Sequence, residues 1–457
     1  MNRKLLYEKK SAWHSYDENA RKGLMAYAEA YKSFLDKAKT ERFSVIELIK
    51  MAEANGFQLN NDKQFFIENS NKNLAIVKKG EKSALEGIKF IASHIDVPRI
   101  DLKQNPLYEK DGFVQLKTHY YGGIKKYHWL SRPLALYGII FKKDGTRVEV
   151  RIGEKPDDPV LVISDLLPHL SAKQSKKSVS DAFEGEKLNV IFGSIPLNYK
   201  DNKEKNLIKM NILELLNNEY GIEEEDFLSA EIEVVPSENA RDVGFDRGLV
   251  GAYGHDDRVC AYTSATAMFT SDNKRTVCAL MFDKEEVGSN GKTGAQSRFI
   301  EDIVIEILKR EGIEPTYTNI RTVMRNSELL SSDVSAGINP DYSDVHEKQN
   351  ASIIGMGIAL VKFTGSRGKA SANDADAEFV FKVRSIFNEA DVKWQTSELG
   401  KVDEGGGGTI AKFMAEYGMN VIDCGPPIIG MHSPFEIVSK ADLYETHKGY
   451  KAFFESD

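Results

Sequence analysis

The segment GIKFIASHIDVP, residues 87–98, decides the fold class of this chain. It is short, rich in β-branched and aromatic residues, and bounded by Gly87 and Pro98, which is the pattern of a buried β-strand. The run ends in polar side chains at His94 and Asp96. Because open α/β sheets place their ligand sites beyond the carboxyl ends of their strands, the segment predicts an α/β sheet with a polar site at its edge.

Further apolar runs end in the same way later in the chain. TVCALMF, residues 276–282, is followed by Asp-Lys-Glu-Glu, and residues 419–423 lead through a Gly-Pro turn to His432. A loop at 331–333 reads Ser-Ser-Asp. After His432, the serine, proline and glutamate of SPFE follow the order of a helix N-terminus, so we expect the C-terminal helix to begin there.

The remaining sequence predicts the domain organisation. Residues 11–39 have apolar residues at helical spacing, and Ser44 with Glu47 three positions later indicates a capping box. Residues 102–235 contain short alternating segments separated by turns, which predict a mostly antiparallel β domain, with one helix at 207–220. We therefore expect one α/β domain, formed by residues 1–101 and 236–457, interrupted by an inserted β-rich domain at 102–235.

Composition limits the classes of protein and partner. The 457 residues include 61 Lys and Arg against 69 Asp and Glu, a formal net charge of −8, which disfavours a general nucleic-acid binder. Three scattered cysteines are too few for a disulfide framework or a cysteine-based zinc site. The N-terminus is charged rather than apolar, and no apolar run reaches the ~18 residues that span a bilayer. We expect a cytoplasmic protein that binds neither nucleic acid nor membrane.

The strand and loop ends combine histidines with carboxylates. Imidazole together with carboxylate is the ligand set of a borderline metal such as zinc, whereas sets made only of carboxylates suit magnesium or calcium better. Two histidines and several carboxylates could hold two metal ions with one carboxylate bridging them. Any one such histidine could instead be a hydrogen-bonded structural residue. The residues concerned are His94, Asp96, His255, Asp256, Asp257, Asp283, Glu285, Glu286, Asp333 and His432.

Five motifs, taken together, resemble the aspartyl aminopeptidase family of di-zinc metallopeptidases. They occur in the family's order over nearly the whole chain: SHIDVPRIDL (93–102), GHDDR (254–258), DKEEVGS (283–289), SSDVSAG (331–337) and GMHSPFE (430–436). The resemblance implies a three-layer α/β/α catalytic domain of the di-zinc aminopeptidase type. It further implies that the inserted domain makes a dimer, and that dimers close into a homo-oligomer, a dodecamer.

The resemblance also implies a role for each motif residue. The implied metal ligands are His94 on one ion, His432 on the other, Asp256 as the bridging carboxylate, and Glu286 and Asp333 on different ions. Glu285 would be the general base, since adjacent residues on an extended segment point different ways and the base is not itself a ligand. Asp96, on the same strand face as His94, would accept the second imidazole N–H. His169 would be metal-associated or would bind substrate in a neighbouring subunit, and the alternative is a structural histidine at a strand end.

The implied activity is removal of the N-terminal residue of peptides by a water activated with two zinc ions, for which cobalt or manganese can substitute. The family prefers acidic N-terminal residues, and Lys362, Arg367 and Lys369 would supply cations for them. Ala336 stands where the family has a substrate-contacting histidine, and Asp257 adds negative charge, so this preference could be relaxed. Two alternatives remain open: a di-metal deacylase of N-acyl amino acids, and a non-catalytic oligomeric scaffold.

Overall fold

The computed structural model describes residues 5–198 and 205–457, which form two compact units. The first unit comprises Met1–Val97, Ala240–Met431 and Phe435–Asp457, and the second comprises Pro98–Asn239 and His432–Pro434. The chain thus passes between the units at 97/98 and 239/240, where the sequence predicted 101/102 and 235/236.

The helices of the described residues are, in chain order, α1 (Glu18–Lys37), α2 (Glu41–Ala54), α3 (Val179–Ala182), α4 (Leu207–Tyr220), α5 (His255–Thr270), α6 (Phe299–Arg310), α7 (Tyr317–Asn326), α8 (Ala377–Glu389), α9 (Ala411–Ala415) and α10 (Lys440–Glu455). Helix α4 coincides with the predicted helix. None of the helices in these residues is both long enough and apolar enough to cross a bilayer.

The strands are, in chain order, β1 (Gln64–Asn69), β2 (Asn73–Lys78), β3 (Lys89–His94), β4 (Arg99–Lys110), β5 (Phe113–Tyr121), β6 (Leu134–Phe141), β7 (Arg147–Ile152), β8 (Val190–Gly193), β9 (Ala230–Pro236), β10 (Arg241–Val243), β11 (Leu249–Ala252), β12 (Val277–Phe282), β13 (Glu328–Ser331), β14 (Ser335–Ala336), β15 (Ile358–Val361), β16 (Gly365–Ser366), β17 (Trp394–Thr396), β18 (Gly406–Gly407), β19 (Asn420–Gly425), β20 (Pro427–Ile429) and β21 (Glu436–Ser439).

The first unit is built on an eight-stranded sheet in the order β1-β2-β12-β3-β13-β19-β15-β17. Strands β12, β3, β13 and β19 run parallel to one another, so their carboxyl ends meet at one edge. A five-stranded sheet in the order β10-β11-β21-β20-β14 lies in the same unit. The predicted polar edge is therefore formed by the carboxyl ends of the four central parallel strands.

Apolar side chains cover both faces of the eight-stranded sheet. Along β3, Ile91 belongs to one hydrophobic cluster, whereas its neighbours Phe90 and Ala92 belong to the other. Helices α1, α2, α5, α8 and α10 contribute to the first cluster, and α6, α7 and α9 contribute to the second. Because successive residues of a strand point to opposite faces, this alternation produces the predicted three-layer α/β/α architecture.

Two predicted helix starts are wrong. Helix α2 begins at Glu41 with Thr40 as its N-cap, so Ser44 lies inside the helix and its hydroxyl donates to the Thr40 carbonyl. The chain after His432 leads into strand β21, which begins at Glu436, and α10 begins only at Lys440 with Ser439 as its N-cap. Here pairing of β21 with β11 and β20 overrides the local helix signal of Ser433 and Pro434.

The second unit is a six-stranded sheet in the order β7-β6-β9-β4-β5-β8, and every pairing in it is antiparallel. This agrees with the antiparallel character that the alternating segments of the insertion predict. The apolar run at 160–167 forms only isolated bridges, at Leu161 and Val162, rather than a strand.

Candidate metal centre

His94 is the last residue of β3 and is buried between two carboxylates. Its Nε2 atom lies 3.2 Å from Asp256 Oδ1, and its Nδ1 atom lies 3.3 Å from Asp96 Oδ1. Burial lowers the pKa of the imidazole, but the hydrogen bonds to Asp256 and Asp96 outweigh it and hold the pKa well above its usual value. With Nδ1 directed at Asp96, Nε2 is the nitrogen that faces Asp256.

Asp96 contacts more than His94. Strand β3 ends at His94, so Asp96 lies in the following loop and not on the strand face that the sequence predicted. Its two carboxylate oxygens accept hydrogen bonds from the backbone N–H groups of Glu285, at 3.1 Å, and Glu286, at 3.3 Å. One buried carboxylate therefore fixes both the imidazole of His94 and the backbone that carries the glutamate pair.

Glu285 and Glu286 lie on a tight turn after β12, not on the extended segment that the sequence predicted. The turn is a single 3₁₀ turn at Glu285–Val287, bracketed by Lys284 and Gly288, both in the left-handed conformation. Both glutamates are partly buried. Consecutive side chains of a 3₁₀ turn, with three residues per turn, project about 120° apart, so the two carboxylates can still differ in role.

Asp256 lies near the start of α5, where the backbone departs from helical geometry at Asp256 and Asp257. The N–H of Asp256 donates to Glu436 Oε2 at 3.0 Å. Asp257 is completely buried and accepts from the N–H of His94 at 3.3 Å. Burial, followed by the charge of Asp333, raises the pKa of Asp257 well above its usual value.

His255 is a structural residue. Its Nδ1 atom lies 2.8 Å from the hydroxyl of Tyr31, and its Nε2 atom lies 3.1 Å from the carbonyl of Val250. Burial lowers the pKa of this imidazole to about 3. Because both ring nitrogens are engaged away from the carboxylates, His255 does not join the metal-binding groups found among the described residues.

Asp333 follows β13 and is partly buried. A side chain on Gly425 would come within 2.1 Å of the Asp333 carbonyl, so only glycine lets the two segments approach this closely. Burial, followed by the charge of Asp256, raises the pKa of the Asp333 carboxyl well above its usual value. A cation between these carboxylates would offset their repulsion.

The ligand atoms of these residues converge. His94, Asp256 and Asp333 each offer an atom within 4.8 Å of the other two, and so do His94, Glu285 and Glu286. Asp256 and Glu286 also approach each other within that distance. The donor set mixes one imidazole with several carboxylates, which fits zinc better than a site made only of oxygen ligands.

Asp283 and His432, two further candidate residues, contact groups other than the ligands described above. Asp283 accepts from the Thr293 hydroxyl at 2.7 Å, and burial, followed by the charge of Glu41, raises its pKa to about 7. His432 belongs with the second unit, has a left-handed backbone, and its Nδ1 atom lies 3.1 Å from the Gly123 carbonyl. Its predicted part in the metal centre stays a prediction.

The predicted substrate residues are exposed or half-exposed. Lys362 and Lys369 each place Nζ 2.9 Å from one oxygen of Asp374, and these hydrogen bonds lower the pKa of that carboxyl. Arg367 is exposed on the same loop, and His169 is exposed on a short 3₁₀ turn of the second unit. None of the four predicted residues belongs to the metal-binding groups of the described residues.

Two contacts around the candidate metal centre are not predicted by the sequence. Asp96 binds the backbone of the glutamate pair, and Glu436 binds the backbone of Asp256. Glu436 is completely buried, which is uncommon for an acidic residue. The sequence marks Glu436 by its position in the Met-His-Ser motif, where the pattern predicts a helix start.

Comparison with known proteins identifies the family. The family model described as aminopeptidase I zinc metalloprotease (M18) matches residues 31–454. The probable M18 family aminopeptidase 1 of Clostridium acetobutylicum is 49% identical over 464 residues, which cover 99% of this chain and 99% of that protein.

Solved structures agree with this result. The crystal structure of the M18 family aminopeptidase from Thermotoga maritima has a TM-score of 0.94 at 47% identity, covering 98% of this chain and 100% of that one. The S. cerevesiae mApe1 dodecamer shares the fold, with a TM-score of 0.75 at 20% identity over 94% of this chain and 96% of that one. The chain therefore belongs to the M18 family of aminopeptidase I zinc metalloproteases, and it is a zinc aminopeptidase.

Proposed function

We propose that this aminopeptidase uses two zinc ions, with Glu285 as its general base. The observation that carries the proposal is the convergence of His94, Asp256, Asp333 and Glu286 at the edge of the sheet, with Glu285 beside them. Such a set has enough carboxylates to offset the charge of two divalent ions. One of these carboxylates, Asp256, lies within 4.8 Å of ligand atoms of His94 and Asp333 and also within 4.8 Å of Glu286.

The proposed ligands divide between two positions that share Asp256. His94 and Asp333 would hold one ion, because both lie within 4.8 Å of Asp256. Glu286 and His432 would hold the other. Glu286 follows the carboxyl end of β12 and lies within 4.8 Å of Asp256. His432 is included on the family resemblance of the Met-His-Ser motif. Cobalt and manganese accept the same nitrogen and oxygen ligands and could substitute.

Zinc, when bound, would polarise the scissile carbonyl and lower the pKa of water. Glu285 takes a proton from the attacking water and returns it to the nitrogen of the leaving amine. Asp96 keeps Glu285 in reach by holding its N–H, and it fixes the orientation of the His94 ring at the same time. The protein thus supplies a base that is placed beside the ligands without being one of them.

For specificity we propose a preference for acidic N-terminal residues, weaker than is typical of the family. Lys362 and Lys369 provide cations, but Asp374 already pairs with both, so an acidic substrate must compete with it. Ala336 offers no polar group where the family has a histidine. On the family resemblance, His169, whose side chain is exposed, would approach the substrate of a neighbouring subunit.

A panel of aminoacyl anilides carrying Asp, Glu, Leu or Lys tests activity and specificity together. We expect hydrolysis of both the Asp and the Glu anilide, with kcat/KM for the Asp anilide above that for the Leu anilide. A Leu or Lys preference of more than tenfold would contradict the acidic assignment and leave the zinc chemistry intact. No anilide cleavage, together with release of acetate from N-acyl amino acids, would favour a deacylase instead.

We further propose that the second unit mediates assembly into a homo-oligomer built from dimers, with twelve chains. Support comes from the S. cerevesiae mApe1 structure, which is described as a dodecamer, and from exposed apolar residues at Leu166, Leu167 and Leu170. Apolar residues clustered on a surface are typical of interfaces. Closed symmetry is the usual outcome for homo-oligomers.

A further inference from the structure

Glu436 is a buried acidic residue that lies behind the metal centre without belonging to its ligand groups in the described residues. Its side chain is completely buried, and its Oε2 atom accepts the backbone N–H of Asp256 at 3.0 Å. A buried carboxylate is costly unless it is hydrogen-bonded, and the Asp256 N–H supplies one such bond to Glu436.

The start of α5 explains why a carboxylate suits this place. The first N–H groups of a helix have no acceptor within the helix, and negative charge is favourable there. At Asp256 and Asp257 the backbone is not helical, so helix formation alone does not fix the direction of the Asp256 side chain. The hydrogen bond from the Asp256 N–H to Glu436 restrains that backbone from outside the helix.

Glu436 itself is held on a rigid element. It is the first residue of β21, and its partner across the sheet is Ala252 of β11. The neighbouring Phe435 ring packs against Gly251, where an added Cβ would meet it at 2.3 Å. The carboxylate therefore projects from a strand whose register is fixed by packing.

We infer that Glu436 is a positioning residue for the metal centre, acting through the backbone of Asp256. By fixing this backbone, Glu436 sets where the Asp256 carboxylate points and so determines how tightly the centre binds zinc. The inference rests on the proposed function in one respect, the assignment of Asp256 as a ligand. Residues behind metal ligands typically change metal affinity by about 10- to 100-fold when they are removed.

The test measures zinc affinity of the full chain by competition with a chromophoric chelator. Glu436→Ala removes the hydrogen-bond acceptor, so we expect this variant to bind zinc about 10- to 100-fold more weakly. Glu436→Asp withdraws the acceptor by one methylene, so we expect about 10-fold weaker zinc binding. Glu436→Gln keeps an oxygen at the same reach and should bind zinc within about threefold of the wild type.

Asp442→Ala is the matched control. Asp442 is also completely buried and accepts backbone N–H groups, those of Gly355 at 2.6 Å and Gly357 at 2.7 Å. In the part of the chain that the structure describes, these side-chain hydrogen bonds involve none of the proposed ligands. We expect this variant to lower the thermal unfolding temperature of the metal-free protein without changing zinc affinity.

The inference is overturned if Glu436→Asp and Glu436→Ala bind zinc as tightly as the wild type, or if Asp442→Ala weakens binding as much as they do. If Glu436→Ala fails to fold, the comparison of the Asp and Gln variants decides, since equal affinities of these two would also overturn it. A wild type that binds zinc but hydrolyses no anilide would refute the proposed function alone, because affinity is measured without substrate.

Discussion

Replacing Glu285 by Gln removes a carboxylate from the centre without removing a proposed ligand. In the structure Glu285 lies within 4.8 Å of His94 and Glu286, and its N–H is held by Asp96. Gln has the same length and can keep this backbone contact, so the turn should stay in place. Three negative charges, on Asp256, Asp333 and Glu286, remain to hold zinc.

The expected effect falls on turnover. Loss of a general base typically costs 10²- to 10⁴-fold in rate, which corresponds to about 3 to 5 kcal/mol of activation free energy at 1.36 kcal/mol per tenfold. We therefore expect kcat for an aminoacyl anilide to fall by that factor while KM and bound zinc, measured by elemental analysis, change little. Glu286→Gln is the matched control on the adjacent residue and should lose zinc as well as activity.

Two results would refute this reasoning. If Glu285→Gln retains more than about a tenth of wild-type kcat, Glu285 is not the base. If it loses zinc as completely as Glu286→Gln, both glutamates are ligands and the base lies elsewhere.

Three further predictions concern stability, specificity and assembly. Burial, followed by the charge of Lys451, lowers the pKa of His447 to about 4, so the wild type should lose stability as the pH falls from about 6.5 to 4, by about 3 kcal/mol more than His447→Gln in urea unfolding; parallel pH profiles would contradict this. Asp374→Asn should raise the ratio of kcat/KM for Asp-anilide to kcat/KM for Leu-anilide roughly threefold to tenfold, because it releases Lys362 and Lys369. The control Asp391→Asn breaks an exposed pair with Lys393 and should leave this ratio unchanged. Light scattering should give a mass of about 600 kDa, twelve times 51.2 kDa, and a monomer at micromolar concentration would refute the assembly.

The sequence predicted the α/β sheet and its polar edge because each central strand carries its own signal. An apolar run such as 277–282 can be buried on both faces only inside a layered sheet, and the polar residues that follow it must then lie at an edge. Parallel pairing of β12, β3 and β13 brings His94, Glu286 and Asp333 to that edge from distant parts of the chain.

The hydrogen bonds that orient these residues could not be predicted from the sequence. Asp96 binds the backbone of residues 189 and 190 positions away, and Glu436 binds that of a residue 180 positions away, so no local pattern records either contact. The helix start predicted at Ser433 is wrong for a related reason. Serine and proline favour a helix start locally, but Ile437 and Val438 gain strand partners only in the folded sheet.

We propose that this chain binds two zinc ions at one carboxylate-bridged centre and needs both for peptide hydrolysis. It is tested most directly by removing metal with a chelator and titrating zinc back while bound zinc per chain and anilide hydrolysis are followed together. We expect activity to be lost on chelation and to reach its maximum at two zinc ions per chain, with Asp256→Ala failing to recover. Full activity at well under one zinc per chain would contradict the account.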